Sequence, residues 1–279
     1  MNTVKKLFWD NCSIISVQSL LVCIVSGILL TFYYSPTSQT FQSVQEITYS
    51  IPFSWLIRSL HYVSAQICTI TMLFHVYNHT KTTELLLGKG ELFKLSFNVI
   101  FIYLCSFLGY ILKGDQESIY ALQVANNLLS QFPLVGKISS KFIFGQGENI
   151  LFIYSYHCFV LPVIIIILLK GHIGYFKVEL FHLSWMIMLS SFYYLIFIHT
   201  HDIPPNARPF HIFAPWFFWG GQFMLKHISQ SLAGIVLPLS FLMGYFYCIL
   251  KAQKFTKYLF YMLLLYILMG IGYRIDLWR

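Results

Sequence analysis

Seven apolar runs, most of them about as long as a lipid bilayer is thick, leave this chain few ways to fold. They fall at about Ile14–Tyr34, Pro52–Tyr77, Leu92–Leu112, Ile150–Leu169, Leu180–Ile198 and Leu232–Leu250, with a shorter one at Tyr258–Gly272. About 20 helical residues cross a hydrocarbon layer roughly 30 Å thick. Lipid offers backbone N–H and C=O groups no partner, so a spanning segment must satisfy them internally, as a helix does. The expected fold class is all-α, a polytopic membrane protein of about seven transmembrane helices. Composition supports it: 57% of the 279 residues are hydrophobic and 10% charged, with a mean hydropathy of +0.68. A soluble domain of this length could not hide so much apolar surface.

Two further apolar stretches are too short to cross. Glu117–Ser130 has helical periodicity with polar interruptions, and Phe213–Leu225 is aromatic with Gly220 and Gly221 inside it; both are expected to lie at one surface. With the N-terminus inside, ten of the 18 Lys and Arg residues fall on the inner side and eight on the outer, a small bias in the direction that the positive-inside rule requires. Lys5, Lys6 and Asp10 near the start, with no small-residue site after the first run, argue against a cleavable signal peptide. The net charge of +8 is scattered through short loops, which fits membrane orientation and not nucleic acid. The six cysteines form no CxxC and read as small core residues. No internal sequence repeat is evident.

Histidines inside such runs are costly and read as functional. His61 and His75 are 14 residues apart, a helical rise of about 21 Å and roughly 40° short of whole turns. His157 and His172 are 15 apart, about 22 Å and some 60° past whole turns. Each pair therefore leaves one helix face at two depths. If the two helices run in the same direction, His61 meets His157 and His75 meets His172, holding two planar cofactors stacked along the bilayer normal. Bis-imidazole ligation leaves iron no open position, which makes an electron wire and not an oxygen site.

The same residues carry a resemblance. Ser-Trp-Leu-Ile-Arg-Ser-Leu-His at 54–61, with a second histidine 14 further on, resembles the second helix of cytochrome b of respiratory complex III. The run His157-Cys158-Phe159-Val160-Leu161-Pro162 resembles that family's fourth helix, its 15-residue spacing being that of the chloroplast branch. The resemblance implies a di-haem four-helix bundle in an N-terminal region, 1–176, and a shortened C-terminal region, 177–279, without the family's eighth span. It implies two haem b groups held by the four histidines, with Arg58 on a propionate and Gly27 and Gly109 leaving room for a haem edge. Ser13 and Leu95 replace the partner glycines, so the inner pocket is expected to be repacked. Asn78 and Phe152 replace arginines that often meet propionates.

Gly109-Tyr110-Ile111-Leu112, continuing through Gln116, Ser118 and Asn127 to Pro133, is similar to the family's outer quinol-site segment. Phe107, Tyr110, Ala121, Pro215, Trp216 and Phe218 are thus implied to line a ubiquinol pocket. Ala121 replaces a glycine there, which implies altered sensitivity to inhibitors pressing on that backbone. The stretch Ala214-Pro215-Trp216-Phe217 is similar to the family's Pro-Glu-Trp-Tyr loop, but the glutamate usually assigned as proton acceptor is Pro215. A general base needs a titratable side chain within hydrogen-bond reach or one water away. Asp115, Glu117 and His211 are the nearest candidates by loop membership, histidine being the type that most readily changes charge near neutrality, and one of them, or water, is expected to substitute. On the inner side Lys177 and Glu179 are implied near a second, ubiquinone-reducing site.

The function so implied is that of the membrane subunit of quinol–cytochrome c oxidoreductase, coupled to proton translocation. One electron would leave through a Rieske iron–sulfur protein to a c-type cytochrome subunit; the other would cross between the haems. Other complex III subunits, a dimeric assembly and a mitochondrial inner membrane with the N-terminus on the matrix side complete the expectation. A di-haem b-type anchor of a dehydrogenase with a single quinone site is the alternative, and a proton-coupled transporter without haem is a third.

Overall fold

The computed structural model describes residues 3–82, 88–132, 135–145, 149–173, 178–198, 202–207, 211–251 and 256–277, and every regular element among them is helical. Helix α1 (Thr3–Thr31) is followed by a short α2 (Thr40–Tyr49) and the 29-residue α3 (Ser54–Thr82). Then come α4 (Lys89–Ile111), two short helices α5 (Gln116–Ser130) and α6 (Gly136–Phe144), and the long α7 (Ile150–Leu169). Helix α8 (Leu180–Tyr193) runs into a π turn at Tyr194–Ile198. A 3-10 turn at Trp216–Phe218 leads into α9 (Trp219–His227). The π turn Leu232–Val236 opens α10 (Leu237–Lys251), and α11 (Thr256–Leu277) follows. Helix α3 is the hub, packed on α1, α2, α4, α8 and α11.

Asn11–Thr31, Lys89–Ile111, Ile150–Leu169, Leu232–Leu250 and Lys257–Ile275 have the length and apolarity to cross a membrane. Ser54–Thr82 has the length, but Arg58, His61, His75 and a series of hydroxyl and amide side chains dilute it. Leu180–Ile196 is apolar but shorter. Two of the seven expected spans therefore rest on their place in the bundle and not on apolarity and length together.

The bundle interior sets many small polar side chains beside its apolar clusters. Ser16, Ser19, Ser26, Ser59, Ser64 and Thr69 are buried, while Phe32, Phe159, Phe181 and Leu195 point outward. Lipid tails are as apolar as leucine, so association rests on close approach and hydrogen bonding, and small side chains belong inside. The Ser16, Ser19, Ser26, Ser59 and Thr69 hydroxyls bond the carbonyl four residues back, so their burial leaves no unmet donor.

Helix α7 is not a regular helix. Tyr156–Val160 forms a π turn, closed by the Leu161 N–H on the Tyr156 carbonyl. Pro162, two residues beyond that turn, has no N–H to offer the Cys158 carbonyl, and an α-helical path there would also press its ring on that carbonyl. The helix ends at Leu169. Gly171 takes φ +87°, and His172 lies in the turn beyond, its N–H on the Leu169 carbonyl at 3.0 Å. A uniform helix from His157 to His172, as the spacing argument assumed, is thus corrected at both ends.

Candidate functional site

The four histidines meet in the two pairs that the spacing predicts. His61 faces His157 with ring centroids 6.0 Å apart and planes at 83°. His75 faces His172 at 5.7 Å and 70°, their Nε2 atoms 3.4 Å apart. The N-terminal member of α3 meets the N-terminal member of α7, and likewise the C-terminal members, so the two helices run parallel.

For the first pair the structure fixes the ring orientation. His61 Nδ1–H donates to the Cys23 carbonyl at 2.8 Å, and His157 Nδ1–H donates to the Cys105 carbonyl at 2.9 Å. In this tautomer Nε2 carries the free lone pair on each ring, the arrangement that metal-binding imidazoles adopt. Gly27 and Gly109 lie under the rings: a Cβ on Gly27 would come 2.9 Å from His61 Cε1, and one on Gly109 2.6 Å from His157 Cε1. The absent side chain thus makes room for the imidazole itself. Among the described glycines none has a histidine of the second pair in this position. Leu95, where the family has one, is fully buried among Cys68, Met72, Val76 and Ile165.

These donors fit haem. His75 and His172 turn their Nε2 atoms to each other 3.4 Å apart, two imidazole donors facing one site. Among the described residues no group of three or more His, Cys, Asp or Glu side chains converges. Two imidazoles alone suit an ion that brings its own equatorial ligands, as haem iron does.

Arg58, implied to meet a propionate, is held by Asp202: its two terminal nitrogens reach the carboxylate at 2.7 and 2.9 Å, and Nη1 also donates to Thr48 Oγ1 at 2.5 Å. Gln45 Nε2 adds a bond to Asp202 at 3.1 Å. Burial favours the neutral acid, but the Arg58 hydrogen bonds and charge, with Lys113 and Gln45, outweigh it and hold the Asp202 carboxyl below its usual range. Sequence reading gave Asp202 no part in this site, 144 residues from Arg58 and on a loop with no motif.

Against α3 and α4 the implied quinol-site residues gather. Phe107 meets Phe218 edge-to-face at 5.3 Å, Ala121 and Trp216 pack on the same buried cluster, and Trp216 Nε1–H donates to Gln66 at 2.6 Å. The three candidate bases separate. Asp115 is fully buried, caps α5 by accepting the Ser118 N–H at 2.9 Å, and pairs with Lys113 at 2.7 Å. His211 is exposed, its ring 6.4 Å from that of Phe213. Glu117 stands between the two site segments: Oε2 is 3.1 Å from the Tyr110 hydroxyl, and Oε1 accepts the Phe213 N–H at 3.4 Å. The Tyr110 hydroxyl is also 2.8 Å from the Phe213 carbonyl, so its one proton is shared between two acceptors. Pro215 precedes this turn and has no polar side chain to offer.

Glu179 lies half-exposed at the start of α8, Oε2 3.3 Å from His182 Nδ1 but out of hydrogen-bond alignment. Buried Gln18 grips its backbone from both sides, at 2.8 and 3.2 Å. Lys177 lies outside the described residues.

An all-helical membrane bundle whose paired imidazoles suit an ion arriving with its own ring is the build of a b-type cytochrome. Comparison with known proteins agrees. The family model described as cytochrome b/b6/petB matches residues 2–180, more than half of the chain. Cytochrome b of Caenorhabditis briggsae is 28% identical over 91% of this chain and 80% of its own length. Cytochrome b6 of Mesostigma viride is 32% identical over 53% of this chain and 72% of its own. A solved chain described as "Hyperthermophilic respiratory Complex III" shares the fold, with a TM-score of 0.68 at 17% identity over 93% of this chain and 82% of that one. The chain belongs to the cytochrome b/b6 family, haem-b-binding membrane proteins of electron transfer.

Proposed function

We propose that this chain is the membrane subunit of a quinol–cytochrome c oxidoreductase, oxidising ubiquinol at the outer face and reducing ubiquinone at the inner, with proton translocation. The observation that carries the reading is the pair of facing imidazole sets on parallel helices. His61 with His157 would hold one haem b and His75 with His172 a second. Bound haem supplies one-electron transfer at two depths in the membrane. A dehydrogenase anchor needs neither the surface helix α5 nor the Phe213–Phe218 segment, which this chain folds against α3 and α4. The partners are a Rieske iron–sulfur protein, a c-type cytochrome and further complex III subunits in a dimeric assembly. The place is the mitochondrial inner membrane, N-terminus in the matrix.

Of the three candidate bases, Glu117 is the one whose geometry serves. Its carboxylate touches Tyr110 and the loop that lacks the usual glutamate, so it can accept a quinol proton directly or through the Tyr110 hydroxyl. Asp115 is committed to capping and to Lys113.

Purification of the native assembly tests the reading. Two low-spin b haems are expected, with an iron–sulfur and a c-type partner, and His61→Leu or His172→Leu should each remove one haem spectrum. Fewer than two such haems in the unmodified assembly overturns it. Glu117→Gln should lower quinol oxidation by roughly 10²–10⁴-fold, the usual contribution of a proton-transfer group, with both spectra kept.

A further inference from the structure

Both rings of the first pair are gripped by the same two residue types in the same order. Cys23 and Gly27 lie on α1, and Cys105 and Gly109 on α4, each pair spaced to share one helix face. Each cysteine binds its histidine in two directions. The Cys23 carbonyl accepts His61 Nδ1–H at 2.8 Å, while its thiol lies 3.6 Å from that nitrogen and donates to the His61 carbonyl at 3.7 Å. The Cys105 carbonyl accepts His157 Nδ1–H at 2.9 Å, and its thiol lies 3.5 Å from the nitrogen and 3.6 Å from the His157 carbonyl. The chain thus repeats in space, as Cys-x-x-x-Gly, a unit that its sequence does not advertise.

Resting on the haem reading above, we propose that Cys23 and Cys105 are positioning residues which set the rotation of the two ligand rings at the first centre and thereby its potential. A backbone carbonyl alone anchors the ring at one point. The thiol ties the backbone of the ligand residue to the same turn of the neighbouring helix, so ring and carbonyl are fixed together, and the glycine one turn on blocks nothing. The two grips are unequal. Ser26 Oγ stands 3.4 Å from His61 Nδ1 and can stand in for a lost Cys23 thiol. The matching position on α4 is Leu108, which has no polar group to offer. Both cysteines are free of any disulfide, so their thiols remain available to hold the ligand residues.

The test uses the assembled complex carrying Cys23→Ala, Cys105→Ala, both together, and the two serine versions. Paramagnetic resonance of the oxidised complex reads the angle between ligand planes through the highest g value, and a redox titration reads the potential. Cys105→Ala should shift both quantities for one b haem only, Cys23→Ala less, and the double variant most, while serine, which keeps the hydrogen-bond donor, moves them less than alanine. Unmoved signals and potentials in the double variant at normal haem content overturn the proposal, as does an equal shift at both haems. Where Cys105→Ala loses haem outright, retention in Cys105→Ser supports the clamp and loss there too overturns it. Absence of low-spin signals from the unmodified complex would instead sink the functional reading, and the clamp with it.

Discussion

At the scale of single residues, the histidines were legible because their cost in lipid makes them conspicuous and their spacing is arithmetic. What surrounds them was not. Gly27 and Gly109 could be picked out, but only the structure shows that the imidazole fills the space. The contact at Gly109 is the closer, 2.6 Å against 2.9 Å, so Gly109→Ala is expected to lose more of the first-pair haem spectrum than Gly27→Ala, with the second spectrum intact; reduced-minus-oxidised spectra of the two variants check the order. Arg58 was legible as an arginine near a membrane surface, but its partner was not, since a bidentate ion pair across 144 residues leaves no trace in spacing. Removing one member of a buried pair strands the other, at a cost of about 3–5 kcal/mol, and Asp202→Asn should lower stability by an amount of that order at pH 7. The sign with pH follows from the depressed carboxyl. Its stabilisation is complete above the unfolded carboxyl value of about 3.9 and is lost as pH falls through the lower folded value. The gap in melting temperature between Asp202→Asn and the parent should therefore close on acidification, which thermal melts in detergent at a series of pH values would show.

At the scale of elements, the long helices were readable from hydropathy and two short ones were not. The buried residues of α2, Thr40, Ser43, Val44, Ile47 and Thr48, follow helical periodicity, yet three of the five bear hydroxyls, and an apolar pattern cannot reveal a face made of threonine and serine. Helix α6 is only nine residues long and has the same mixed face. The 15-residue histidine spacing has a structural cause in the π turn at Tyr156–Val160, which holds one more residue than an α turn and so returns the downstream face to register. The π turn at Leu232–Val236 stands in the same place before Leu237 and Pro238 as this one does before Leu161 and Pro162. In each case a proline two residues on removes the N–H that a regular ladder would need. Deleting Phe159 together with Pro162→Ala should therefore make Tyr156–Leu169 a continuous α-helix with His157 and the His172 turn 14 residues apart, and both haems should be retained. Deleting Thr69 from α3, which contains no such turn, rotates His61 against His75 by about 100° and should cost one haem. Haem content of the two deletion variants decides the matter, and equal loss from both would remove the role given to the π turn.

At the scale of the whole molecule, ligand-bearing and site-closing parts are carried by different helices, and they should fail separately. The histidines sit on α3 and α7 and at the turn that ends α7, backed by α1 and α4. The segment from Phe213 to His227 is held by α11, which belongs to neither set. The contact between α9 and α11 is backbone on backbone: a Cβ on Gly270 would lie 2.5 Å from the Gly220 N, and one on Gly220 would collide with the Tyr266 carbonyl oxygen. Four residues beyond Gly270, Arg274 is stacked between the Phe213 and Trp219 rings, 4.2 and 4.5 Å from their centroids, so the helix that crosses α9 also fixes the residue whose N–H reaches Glu117. Gly270→Ala must push α11 away, because neither neighbour is a flexible side chain, and overpacking of this kind costs about 1–3 kcal/mol. That displacement moves Arg274 and loosens Phe213 against Glu117 and Tyr110, while α11 meets the rings beside His75 through Phe260, ten residues from Gly270 and at the other end of the helix. The expected outcome is a Gly270→Ala complex with both haem spectra at parental intensity and quinol oxidation reduced about tenfold or more, the equivalent of 1.4 kcal/mol on the barrier. Haem loss in parallel with activity would show instead that the bundle and the loop it carries stand or fall as one body.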